Sequence, residues 1–202
     1  MPSTSALPNI AFRAATREDC AHLVLLADMA TRRLTSFLWS QVSAPGQSAF
    51  EVGRNVIRNA DGHFTHFANW RVAEHQGQLV GALNGYVIPE PSSLTPPAPD
   101  VVGPLNDLKN IAAGTWYISA AAIYPEHQGK GFGSLLLAEG ENIARSAGSD
   151  RLTLMVGSFN SGAYRLYQRC GFIEWARRPF LPFPGSDEGE WILMVKDLSR
   201  KS

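Results

Sequence analysis

Cysteine is nearly missing from this chain: Cys20 and Cys170 are the only two among 202 residues. So few thiols exclude a disulfide scaffold, and because both fall in helical patterns far apart, two reduced core thiols are expected. Net charge is missing too, with 18 basic residues against 18 acidic and a pI near 7.0. That balance argues against a general nucleic-acid or membrane-surface binder and leaves only a local patch open. No apolar run reaches the roughly 18 residues of a membrane helix, and the first residues lack a basic-then-apolar leader pattern. A cytoplasmic location is the expectation. The five histidines and two cysteines show no ligand spacing, so no metal is expected. Neither Gly-x-Ser-x-Gly nor a nucleophilic cysteine motif occurs, and with them goes any signature of a covalent enzyme intermediate.

What is there is one domain's length of ordinary globular composition, with strands and helices in alternation. Asn9 to Ala14 reads as a strand, and Thr16-Arg-Glu-Asp19 as a capping box opening a helix through about Thr31. Residues 32–46 are less regular, and Gln47 to Asn59 reads as a second helix. Phe67 to Glu74 and Gln78 to Ile88 form a predicted hairpin across His75-Gln76-Gly77. Strands at Thr115 to Tyr124 and Arg151 to Val156 flank a helix from Gly131 to about Ala147. A short helix after Asn160 and strands Phe172 to Arg178 and Glu190 to Lys196 complete the pattern. Residues 89–114 form an insert with six prolines (Pro89, Pro91, Pro96, Pro97, Pro99 and Pro104) and a predicted short helix from Pro104 to Ile111. Prolines at that density exclude sheet interior, so a surface excursion is expected. It either covers part of a site or a subunit contact, or is a passive loop.

The most informative stretch runs from Tyr117 to Leu137: a buried strand, a proline-marked turn, then Gly129, Gly131 and Gly133 opening a helix. Glycines let a backbone adopt left-handed torsions and approach a ligand closely. The first N–H groups of a helix lack partners and sit at the positive end of its dipole, which suits a phosphate or pyrophosphate. A Walker loop needs Lys-Ser/Thr after its second glycine, and Lys130 lies between glycines instead. A dinucleotide fingerprint needs G-x-G-x-x-G and an acid after the next strand, which here ends in Gly157-Ser158. Both readings fail; a plain glycine turn capping a helix remains the alternative to a phosphate loop.

Gln128-Gly-Lys-Gly131-Phe-Gly133, with Ile123-Tyr-Pro125 before it, resembles the Gln/Arg-x-x-Gly-x-Gly/Ala loop of the GNAT superfamily of N-acetyltransferases. Downstream, Asn160-Ser-Gly-Ala163-Tyr-Arg-Leu166-Tyr167-Gln-Arg-Cys-Gly171-Phe172 resembles that family's Asn-x-x-Ala-x-x-Leu-Tyr-x-x-x-Gly-Phe block. The resemblance implies a single N-acetyltransferase domain over 1–202 with the α/β (α+β) GNAT fold: a mixed sheet of six to seven strands flanked by about four helices. It implies acetyl-CoA as the acyl donor, with the pyrophosphate held by Gln128, Gly129, Lys130, Gly131, Phe132, Gly133 and Ser134. The pantetheine arm would lie along Ala121, Ala122 and Ile123 and meet Asn160, which reads equally well as a plain helix cap. Tyr167 takes the general-acid position, against the alternative of an aromatic that only packs a helix face.

The general base is not legible. Many relatives carry a Glu where this chain has Ser119, and a water relay, His63, His66, His127 or a substrate amine that is already neutral all stay open. The acceptor would be shaped by residues 30–62 and the insert, a region rich in aromatics (Trp39, Phe37, Phe50, Phe64, Phe67, Trp70) and poor in carboxylates. That composition disfavours polycations and suits a small or amphipathic amine, an amino-acid derivative or a peptide N-terminus. Partners are thus an amine acceptor and, as an open expectation, a second copy in a homodimer, with no nucleic acid or membrane. The alternative function is an acyl-CoA-binding regulatory module without turnover, favoured by Ser119 and disfavoured by Tyr167.

Overall fold

The computed structural model describes residues 10–90 and 100–199. Seven strands make one sheet: β1 (Ala11–Ala14), β2 (Trp70–His75), β3 (Gln78–Val87), β4 (Trp116–Ile123), β5 (Arg151–Gly157), β6 (Ile173–Pro179) and β7 (Glu190–Asp197). Their order is β1-β2-β3-β4-β5-β7-β6. Only β4 and β5 run parallel; all other neighbours are antiparallel. A parallel pair needs a crossover, and the helix between these two strands supplies it.

The helices are α1 (Cys20–Ala30), α2 (Leu34–Ser40), α3 (Ala49–Asn59), α4 (Gly103–Ile111), α5 (Phe132–Ser146) and α6 (Ser161–Arg169). The helix that the sequence reading lacked is α2, which lies in the stretch read as irregular. The chain enters it through Arg32 and Arg33, both left-handed at φ 52° and 71°, a break that obscures the helical period in sequence. The short helix read at Pro104 to Ile111 forms as α4, inside the insert.

Side-chain alternation along the central strand divides the core. Trp116 and Ile118 of β4 face α5 and pack with Leu136, Leu137 and Ala144. Tyr117 faces the other way and packs with Leu108 of α4 and Leu193 of β7. Further along that second face, Ala120 and Ala82 meet Leu23 and Leu26 of α1. The predicted hairpin closes as β2 and β3 with His75 opposite Gln78. Gln76 and Gly77 both have positive φ, the primed-turn geometry that matches strand twist. The Thr16 box also forms, its amide donating to Asp19 Oδ2 at 2.7 Å, although a short 3-10 turn, Arg17–Asp19, precedes α1. Both cysteines are free thiols, Cys20 buried and Cys170 half-buried.

The insert corrects the expectation of a surface excursion. Its two ends stay zipped, with Ile88 N–H donating to Thr115 O and Gly114 N–H to Ile88 O, both at 2.9 Å. From residue 100 the chain folds back into the protein, and Leu108 and Ala112 have 0% exposure. The amphipathic run Leu105-Asn-Asp-Leu-Lys-Asn-Ile111 is the reason: its apolar face makes a helix worth burying despite the prolines before it. Residues 91–99, with Pro91, Pro96, Pro97 and Pro99, lie outside the described residues.

A helix anchored this way contributes to global stability. Leu108→Ala should cost about 2–5 kcal/mol in urea unfolding, the range for truncating a buried leucine. A loss below about 0.5 kcal/mol would mean that α4 is surface decoration.

Candidate active site

The site begins with a break in the sheet. Between β3 and β4 the register moves from Asn84↔Ala120 to Gly85↔Ile118, leaving Ser119 as the extra residue of a bulge. A bulge bends its strand and sharpens its twist. On the other side, β4 pairs with β5 only from Trp116↔Leu152 to Ile118↔Leu154. Beyond that point β5 continues with β7 as far as Gly157, while β4 stays with β3, so a gap opens between the two central strands.

The direction of the free groups follows from one bond. Tyr124 N–H donates to Val80 O at 2.9 Å. Alternation then turns the peptide groups of Ala122 and Ala120, partners of Ala82 and Asn84, toward β3. Ala121 and Ile123 therefore aim their N–H and C=O groups into the gap. The Ile123 carbonyl is held there by Gln128 Nε2 at 2.9 Å, which leaves the Ile123 amide open.

At the end of β4 the glycine corner has the torsions expected of it. Gly129 and Gly131 sit at φ 73° and 81°, and Gly131 is the N-cap of α5. The amides of Gln128 and Ser134 bond to Pro125 O and Gly131 O. Those of Gly129, Lys130, Gly131, Phe132 and Gly133 find no acceptor among the described residues. Five successive unpaired donors at a helix N-terminus form a concave positive surface for an anion. Lys130 reaches back to Glu126 O at 2.9 Å, and the Phe132 ring is buried at 2% exposure, so Phe132 offers the corner only its amide. At Gly133 an added Cβ would stand 3.1 Å from Leu166 of α6, so this glycine sets how closely α5 and α6 approach.

Asn160 caps α6, its Oδ1 accepting from Ala163 N–H at 3.3 Å, and its amide nitrogen remains a donor. Gly171 at φ 89° ends the helix as its sequence position predicts. Tyr167 projects from α6 as a half-buried phenol; burial, then Cys170, pushes its pKa up to about 12. It lies close enough to Tyr117 of β4 to add to the cost of ionising that phenol. Tyr117 is displaced further upward, by burial first and then by Tyr86 and Tyr167. Tyr86, its cross-strand partner on β3, stands edge-on at 5.7 Å and is raised by burial to about 12. Three protonated phenols therefore converge where β4 leaves β5.

Two further residues here, Asn84 and Lys109, were not singled out by the sequence reading. Asn84, at 0% exposure, donates through Nδ2 to Phe64 O (3.0 Å) and Asn69 O (3.1 Å) and accepts from Ser119 Oγ. A lone amide inside the apolar run Leu79-Val-Gly-Ala-Leu-Asn84 was the available signal. Lys109 of α4 lays its ammonium over the rings of Phe64 (5.5 Å) and Tyr117 (5.9 Å). Its helix was legible, but the face it turns inward was not.

Of the base candidates, Ser119 is committed as a donor to Asn84. His63 accepts the Thr65 amide at Nδ1 (3.2 Å), which fixes its proton on Nε2 and occupies its basic lone pair, and burial lowers its pKa. His66 faces Asp61 at 3.3 Å, and His127 packs beside Phe132 under the corner. Of the six aromatics assigned to the acceptor region, Phe64 reaches this cluster. Trp39 instead fills the space over Gly53, where a Cβ would lie 2.4 Å from its ring, and Trp70 is core at 1% exposure.

Known proteins resemble this chain in sequence and in fold. An N-acetyltransferase of Bacillus subtilis (strain 168), YdgE, is 27% identical over 147 residues, covering 72% of this chain and 78% of its own. The L-amino acid N-acyltransferase MnaT of Escherichia coli (strain K12) is 33% identical over 70 residues, 35% of this chain and 39% of its own length. Among solved structures, yncA of Salmonella typhimurium, determined with its cofactor acetyl-CoA, superposes with a TM-score of 0.59 at 19% identity over 96% of each chain. The model of the acetyltransferase (GNAT) family matches residues 31–172, a span that takes in the strand gap, the glycine corner and α6, and on that match this chain belongs to the GNAT family.

Proposed function

We propose that this protein transfers the acetyl group of acetyl-CoA directly to the amine of a small or amphipathic acceptor. The observation that carries the reading is the continuity of unpaired main-chain donors from the β4–β5 gap to the glycine corner. The five amides of residues 129–133 suit a pyrophosphate. The inward-turned groups of Ala121 and Ile123 suit the amides of a pantetheine arm, as an added strand edge would. Gln128 braces the turn between them, and Asn160 keeps one free donor at the mouth of the gap.

The chemistry follows from that placement. A neutral amine attacks the thioester carbonyl, and the Ile123 N–H is aimed to stabilise the oxygen as it gains charge. The C–S bond breaks as the C–N bond forms, and the Tyr167 phenol gives its proton to the departing sulfur. The proton shed by the amine returns through solvent to the phenol. A pKa of about 12 keeps Tyr167 protonated throughout the neutral range, so it is always charged for donation. Ser119 and His63 both have hydrogen-bond partners of their own, and the reading adopted is that the acceptor amine enters already neutral.

Two measurements test these roles. Tyr167→Phe should slow transfer by about 10²-fold or more, the usual size of general-acid catalysis, while the thermal shift produced by coenzyme A stays near that of wild type. An unchanged rate removes Tyr167 from the mechanism. In an ultraviolet titration of the native protein, Tyr86, Tyr117 and Tyr167 should stay protonated at about pH 11, where a free tyrosine is largely ionised. Because the unfolded chain loses these protons near pH 10, native stability should fall as pH rises from about 10 toward 12. Ionisation of all three near pH 10 without unfolding would show the phenols to be solvated.

A further inference from the structure

The insert brings one cation into an otherwise uncharged cluster. Lys109 lies half-buried on α4 with its ammonium over Phe64 and Tyr117. Among the described residues it has neither a carboxylate within salt-bridge distance nor a hydrogen-bond acceptor. Burial alone displaces its pKa, downward, with no offset from a nearby acid. The nearest acid on its own helix, Asp107, turns outward to Arg178 at 3.5 Å. A half-buried ammonium without a counter-ion is costly, and ring faces compensate only part of the lost hydration. Such a site is stabilised when an anion arrives.

The surroundings say where that anion belongs. Lys109 lies over Tyr117, whose ionisation Tyr167 opposes, so the cation stands near the gap on the face of β4 opposite α5, the helix that the glycine corner opens. Phe64 is 41% exposed and opens the cluster to solvent, while Tyr86 closes its inner wall at 5.2 Å from Phe64. A ligand entering here meets apolar rings and one positive charge. A polyamine would meet repulsion.

We infer that Lys109 is a specificity-determining residue: its ammonium pairs with a carboxylate carried by the acceptor, whose apolar part rests on Phe64 and Tyr86. The acceptor class is therefore an amino acid or peptide-like amine with an apolar side chain and a free carboxylate. This rests on the acetyl-transfer reading above and narrows it.

The test compares phenylalanine with phenethylamine, which keeps the ring and amine but lacks the carboxylate, following thiol release from acetyl-CoA. Wild type should favour phenylalanine in kcat/KM, and Lys109→Met should cut the phenylalanine-to-phenethylamine ratio by about 10-fold or more through KM, the scale of a charge-assisted hydrogen bond. Lys109→Arg should keep part of the preference. A wild type that favours phenethylamine, or a ratio unmoved by Lys109→Met, overturns the inference. An equal fall in kcat for both amines would make Lys109 a base or a structural residue, and overturns it as well. Should neither amine be acetylated, product binding decides: with coenzyme A present, N-acetylphenylalanine should raise the Tm of wild type more than N-acetylphenethylamine does, and Lys109→Met should erase the difference. No such difference in a protein that binds coenzyme A sinks the anion site alone, whereas failure to bind coenzyme A sinks the acetyl-transfer reading.

Discussion

Everything at the centre of this protein depends on a hydrogen-bond ladder that stops. β4 and β5 share three residue pairs and then separate, because Ser119 adds a residue to β4 and turns it after β3. Unpaired main-chain groups inside a protein are normally too costly to keep. Here they persist because they face an open gap, and the same cost becomes affinity for any ligand that completes the ladder. Asn84 secures the bulge by holding Ser119 on one side and the carbonyls of Phe64 and Asn69 on the other. The strand break and the loop that walls the acceptor side are thus fixed by one buried amide.

Charge is distributed with the same economy. The gap is flanked by three phenols that burial keeps neutral, a ring of aromatics and a single ammonium. In so dry a setting each polar group counts for more than it would in water. Neutral phenols can donate protons without first being protonated.

The proline-rich insert links stability to selectivity. Leu108 and Lys109 are neighbours on α4, one filling the core between β4 and β7 and the other facing the aromatic cluster. The leucine's burial is what holds the lysine in register. A segment that looks like a departure from the common strand connection therefore behaves as part of the site's wall.

Much of this was legible in the chain itself. The glycine corner announces itself because glycine takes the left-handed torsions at 129 and 131 without steric cost and because a helix follows at once. Strands, the hairpin at Gln76-Gly77, the Asn160 cap and the Gly171 stop are local, set by period and turn chemistry within a few residues. Tertiary contact alone decided the rest. Nothing local marks the bulge at Ser119, which exists only against β3, or the bond that commits Ser119 to Asn84. That α4 is core rather than excursion, and that Lys109 rather than Trp39 meets the site, depends on which helix face finds a partner across the sheet, and a periodic pattern states only that such a face exists.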